Sequence, residues 1–80
     1  MNTYEAVRNR LLQLLGEHKM SIHRLAMESA VPPSSIKNIL YGKSKNPGVV
    51  TLKMLCDGLG ITLIEFFDTE IFRALEQEIK

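Results

Sequence analysis

Eighty residues, 45% of them hydrophobic and 24% charged, allow one small domain with a single modest core, and set the chain among ordinary globular proteins, far from disordered ones. Apolar runs of only a few residues exclude a membrane span, and the N-terminus MNTYEAVRNR carries charges where a signal peptide needs an apolar stretch, so a cytoplasmic protein is expected. A lone Cys56 excludes an internal disulfide, and His18 and His23, the only histidines, have no ligand spacing with it, so neither metal nor cofactor is expected.

Taken in chain order, every predicted element is a helix, and no strand is needed. From Glu5 to about His18, the residues Val7, Leu11, Leu14, Leu15 and His18 recur at helical spacing, which predicts a first helix with that stripe buried. Ser21 reads as the N-cap of a second helix, Ile22 to about Ser29, with Leu25 and Ala26 facing inward and Ala26 as the small residue at the crossing. Ala30-Val31 stand at a corner. Pro32-Pro33 set the start of a third helix, because proline is tolerated in a first turn whose N–H groups lack partners anyway. Ile36 and Ile39 anchor that helix, and Gly42 ends it.

The segment Lys43-Ser44-Lys45-Asn46-Pro47-Gly48 is polar and rich in helix breakers, which predicts a loop. A fourth helix over roughly Val49 to Gly58 buries Leu52, Leu55 and Cys56, then Leu59, and Gly60 breaks it. Thr62 caps a short fifth helix with Leu63, Phe66 and Phe67 inside. Asp68 or Thr69 caps a last segment in which Ile71, Phe72, Leu75 and Ile79 fall at amphipathic spacing. That stripe is expected either to form a dimer seam or to pack back onto the first helix.

The twenty residues IHRLAMESAVPPSSIKNILY therefore read as two short helices joined by a tight turn. With Ser21, Leu25-Ala26, Ala30-Val31, Ile36, Ile39, Gly42-Lys43, the loop Asn46-Pro47 and then Leu59-Gly60-Ile61-Thr62, the chain resembles the lambda repressor/Cro-like (XRE-type) helix-turn-helix family. The resemblance covers about Val7 to Phe67. It implies an all-α, five-helix lambda-repressor-like DNA-binding domain over residues 1–68, with residues 69–80 as a short C-terminal sixth helix.

The same resemblance implies sequence-specific binding of double-stranded DNA by a small transcriptional regulator of bacterial or phage type, with the third helix in the major groove. It assigns the base-facing positions to Pro33, Ser34, Lys37 and Asn38, and phosphate contacts to Ser35, Tyr41, Lys43 and Lys45. Asn suits bidentate pairing with adenine, Lys can donate to guanine or phosphate, and proline can only lie against a thymine methyl. Because one small domain covers little DNA, a homodimer on a pseudo-palindromic operator is expected.

Charge distribution agrees with that placement despite a net charge of only +1. Four lysines and no acid lie between Ser29 and Cys56, whereas Asp57 to Lys80 holds six acids against Arg73 and Lys80. Four positions depart from the family pattern besides Pro33, which lies where relatives usually offer a polar side chain to a base edge. Ile22 stands where Gln often holds a phosphate, Ala30 where Gly often supplies a left-handed turn, and Leu15 and Leu40 where many relatives place an ion pair.

No catalytic arrangement is evident, since Ser34-Ser35 has no partner base, no glycine-rich phosphate loop follows a strand, and Cys56 sits on an apolar stripe. An enzyme is therefore not expected. The alternative to a DNA reader is a protein-interaction module of antitoxin or antirepressor type on the same fold, which Pro33, Ile22 and the low net charge favour.

Overall fold

The computed structural model describes residues 1–79. Its elements are α1 (Thr3–Glu17), α2 (Ile22–Ser29), α3 (Pro33–Leu40), α4 (Val49–Leu59), α5 (Leu63–Phe67) and α6 (Glu70–Arg73), and there is no strand among the described residues. The fold is all-α with a short C-terminal helix.

Local chemistry accounts for most of the boundaries. The first helix starts two residues before Glu5, because Asn2 and Glu5 cap each other: the Asn2 side chain accepts from the Glu5 N–H at 2.8 Å, and Glu5 accepts from the Asn2 N–H at 2.9 Å. Ser21 caps α2 by accepting from the Arg24 N–H at 3.0 Å. Thr62 and Glu65 form a second reciprocal cap at α5, with bonds of 3.0 and 3.1 Å. Gly42 and Gly60 take positive φ of 88° and 74° where α3 and α4 end, and Ala30 takes the same left-handed conformation, φ 59°, between α2 and α3.

One core joins the first five helices. Val7, Leu11, Leu14 and Leu15 from α1 meet Leu25 and Ala26, Ile36, Ile39 and Leu40, Leu52, Leu55, Cys56 and Leu59, and Phe66. Leu15 and Leu40 are both buried in this cluster. His18 is not part of it. The imidazole is exposed at the C-cap of α1, because the helix stops at Glu17 and Lys19 turns the chain away with φ 51°.

Helices α2 and α4 pack extensively, and they approach tightly at Gly58. A Cβ added there would stand 2.8 Å from Ser29 Cβ, so the glycine is what lets the helices meet. Ala26, the small residue expected at such a crossing, is buried, but the tightest point is at Ser29 and Gly58. The α5 segment is tied down by Arg10 of α1, whose guanidinium donates to the Phe66 carbonyl at 2.8 Å and the Glu65 carbonyl at 2.9 Å. Those carbonyls close a five-residue helix and lack partners within it. Phe66 is fully buried, whereas Leu63 is half-buried and Phe67 remains 36% exposed, so the expected inward trio contributes one full core residue.

The C-terminal segment departs most from expectation. Instead of an amphipathic helix over 69–80, α6 is a single turn that stops at Arg73, and Leu75 and Ile79 lie beyond it; Lys80 falls outside the described residues. Phe72 turns inward against Phe66 and Phe67, with ring centroids 6.0 and 4.8 Å away, while Ile79 is 82% exposed, so the four apolar residues share no common face. Charge explains the turn. Arg73 is held by Asp68 and Glu70, and the acids that follow meet the positive N-terminal end of α1: Glu76 accepts from the Met1 ammonium at 3.4 Å and Glu78 from the Thr3 N–H at 3.3 Å. The α6 turn lies against α1.

Candidate nucleic-acid interface

Helix α3 is amphipathic in one sense only. Its inner face is Ile36, Ile39 and Leu40, all buried, and this leaves Pro33, Ser34, Lys37 and Asn38 exposed together on the opposite side. Tyr41 follows at the C-cap and is 72% exposed. Lys43 and Lys45 are exposed on the loop after it, and Ser35 is half-buried.

The first turn offers less to an anion than its sequence suggests. Pro32 and Pro33 have no N–H, and the Ser35 and Ile36 amides already donate to the Pro32 carbonyl at 3.0 and 3.3 Å. Only the Ser34 amide of that turn is left for an incoming group, beside the two hydroxyls.

The C-terminal end of α3, by contrast, has three of its carbonyls supplied from outside the helix's own ladder or at its cap. The Lys37 carbonyl accepts from the Tyr41 N–H at 2.8 Å, the Asn38 carbonyl from the Ser44 N–H at 2.9 Å, and the Ile39 carbonyl from the Tyr4 hydroxyl at 2.6 Å. The left-handed Gly42 is what lets Ser44 reach back across six residues. Ser29 performs a similar service at the other end of the turn. Its buried hydroxyl donates to the Leu25 carbonyl at 2.6 Å and accepts from the Val31 N–H at 3.3 Å, fixing the angle between α2 and α3.

Ion pairing sorts the bases. Arg24 pairs with Glu28, Lys53 with Asp57, and Arg73 with Asp68 and Glu70. Lys37, Lys43 and Lys45, all on α3 or the loop that follows it, have no acidic partner among the described residues; neither have Lys19, Arg8, which lies over the Tyr4 ring, and Arg10, which is spent on the Glu65 and Phe66 carbonyls. Lys53, the fourth lysine of the acid-free stretch, is neutralised on α4 by Asp57. At the start of α2, Ile22 is half-buried against the core and has nothing to offer a phosphate, while His23 next to it is exposed.

Residues 10–70 match the family model of the Cro/C1-type helix-turn-helix DNA-binding domain. The chain belongs to this family. DNA binding by a regulator is the function this membership carries. No curated protein and no solved structure matches the chain significantly. The matched span starts inside α1 and ends at Glu70, so Tyr4 and the tail that folds back on Met1 and Thr3 lie outside the shared Cro/C1-type framework.

Other chemistry is sparse. Burial pushes the Cys56 thiol up from its ordinary pKa, Lys53 opposing and Asp57 adding to that shift, so it stays a neutral core group. No group of three or more metal-ligating side chains occurs among the described residues, and no helix there is long and apolar enough to cross a membrane. Sequence reasoning missed Tyr4, because a tyrosine before the first apolar stripe carries no local signal of a partner 35 residues away.

Proposed function

We propose that this Cro/C1-type domain reads double-stranded DNA sequence-specifically by setting α3 in the major groove, and that it regulates transcription in the cytoplasm by occupying an operator. Pro33, Ser34, Lys37 and Asn38 face the bases, with Asn38 the strongest candidate for a bidentate contact to adenine. Ser35, Tyr41, Lys43 and Lys45 hold phosphates on either side. Two copies bind a pseudo-palindrome as a homodimer, since one small domain covers too little DNA for tight specific binding.

The observation that carries this reading is the coincidence of an exposed polar face on α3 with three exposed lysines, Lys37, Lys43 and Lys45, that have no acidic partner among the described residues and lie on that helix or the loop after it. A cationic surface beside a rigidly held helix suits a polyanion. Selection of bound sequences from a random duplex pool tests it: an enriched palindrome supports both reading and dimerisation, and an enriched single half-site supports reading alone. If no sequence is enriched, the protein-interaction alternative takes over, favoured by Ile22 on the core and by Pro33, which offers no hydrogen-bonding side chain at the start of the presented face.

A further inference from the structure

We propose that Tyr4 is a positioning residue for DNA reading, a latch from α1 that sets the pitch of α3 through its last carbonyls. The inference rests on the reading of α3 as the recognition helix. Its ground is the 2.6 Å bond from the Tyr4 hydroxyl to the Ile39 carbonyl, which spans 35 residues and lies in a partly buried position. Ile39 is one residue from Asn38 and three from Gly42, so the latch grips the helix between its candidate base reader and its exit turn.

Two further features make the latch specific. The ring of Tyr4 lies under the Arg8 guanidinium, 5.8 Å from ring centre to carbon, which holds the phenol against α1. A Cβ on Gly42 would come 3.7 Å from the Tyr4 oxygen, so the phenol also lines the left-handed turn that feeds Lys43 and Lys45 into place. Leu15 of α1 and Leu40 of α3 are both buried in the core, so the polar tie between α1 and the end of α3 is made by Tyr4, from outside the family's matched span. Burial of Ile36, Ile39 and Leu40 sets which face of this eight-residue helix points inward, and the Tyr4 bond adds a polar tie at its last turn, beside Lys37 and Asn38.

The test compares wild type with Tyr4→Phe, which keeps the ring and removes the donor. Affinity is measured, well below both melting temperatures, for the duplex enriched from the random pool and for a scrambled duplex. Loss of one hydrogen bond that only aligns the reading helix should weaken the enriched duplex by roughly 3- to 10-fold and leave the scrambled duplex unchanged. Amide exchange at Tyr41, Gly42 and Ser44 in the free protein should quicken at the same time. A variant that melts lower but keeps the wild-type ratio of the two affinities would overturn the proposal, leaving Tyr4 as a stabilising residue only. An equal fall on both duplexes would overturn it as well. Failure of the wild type to enrich any sequence would remove the reading itself, whereas enrichment with an unmoved ratio in Tyr4→Phe removes the latch alone.

Discussion

Ser29 and Gly58 meet where α2 crosses α4 so closely that a Cβ on the glycine would lie 2.8 Å from the serine Cβ and 3.0 Å from its Cα and N. Two of those neighbours are backbone, so no side-chain rotation relieves them. Gly58→Ala gains roughly 0.8 to 1 kcal/mol of helix propensity. It should nevertheless destabilise, because forced repacking at such a crossing costs about 1 to 3 kcal/mol. Urea denaturation should show a lower midpoint, and a midpoint at or above wild type would mean the helices separate without cost.

Arg10 is the second joint. Its guanidinium gives the Glu65 and Phe66 carbonyls their partners, and α5 is too short to hold itself. Arg10→Met keeps the aliphatic stem and removes the donors. Hydrogen bonds to a charged group contribute about 1.5 to 3 kcal/mol when well made, and part-exposure puts the expected loss toward the low end. The melting temperature should fall by several degrees with the helical circular dichroism unchanged at low temperature.

Ala30 calls for the opposite expectation. It holds φ 59°, and an L-residue other than Gly, Asn or Asp is disfavoured there by roughly 1 kcal/mol. The alanine is exposed, so its methyl adds little burial. Ala30→Gly should therefore stabilise the domain or leave it level, despite the greater chain entropy that glycine brings to the unfolded state. A marked drop in the denaturation midpoint would show that the alanine methyl does something the backbone conformation does not reveal.

These cases divide by the range of the interaction. Ser21, Thr62, Gly42, Gly60 and the left-handed Ala30 were legible because a cap or a turn is set by residues within four or five of each other. The outward set on α3 was legible for the same reason, since Ile36 and Ile39 determine which side faces in. Gly58, Arg10 and Tyr4 were not, because each matters only through a residue 29 to 56 positions away. His18 and the C-terminal stripe followed helical spacing faithfully, but the helices that spacing assumed end before reaching His18 and Leu75. The alternation of apolar residues cannot report where a chain turns back to meet the charge on its own N-terminus.

Reading and anchoring separate under salt. Lys43→Ala or Lys45→Ala should weaken all duplexes alike and lower the dependence of log affinity on log salt by roughly one unit for each phosphate that a chain no longer neutralises. Asn38→Ala should cost about 1 to 3 kcal/mol at one base pair of each half-site and relax the preference there. Fluorescence anisotropy on a set of singly substituted duplexes distinguishes the two patterns. Equal weakening on every duplex by Asn38→Ala would place that side chain on the backbone.

The acidic tail should oppose DNA binding through charge rather than through fold stability. Glu76 and Glu78 are fastened to Met1 and Thr3, and Glu78 lines the same groove as Tyr41 and Lys45, which sets a carboxylate beside the proposed phosphate anchors. Both contacts are exposed, an ion pair like Met1–Glu76 contributes ~0 to 1 kcal/mol, and a glutamine at 78 can still accept from the Thr3 N–H, so Glu76→Gln with Glu78→Gln should barely move the melting temperature. Affinity for duplex DNA should nevertheless rise several-fold at about 50 mM salt, and the gain should shrink as salt rises and the Debye length contracts. The double variant binding no better than wild type at low salt would mean that the tail leaves the groove before DNA arrives, and that its acids serve only to seat the last residues on α1.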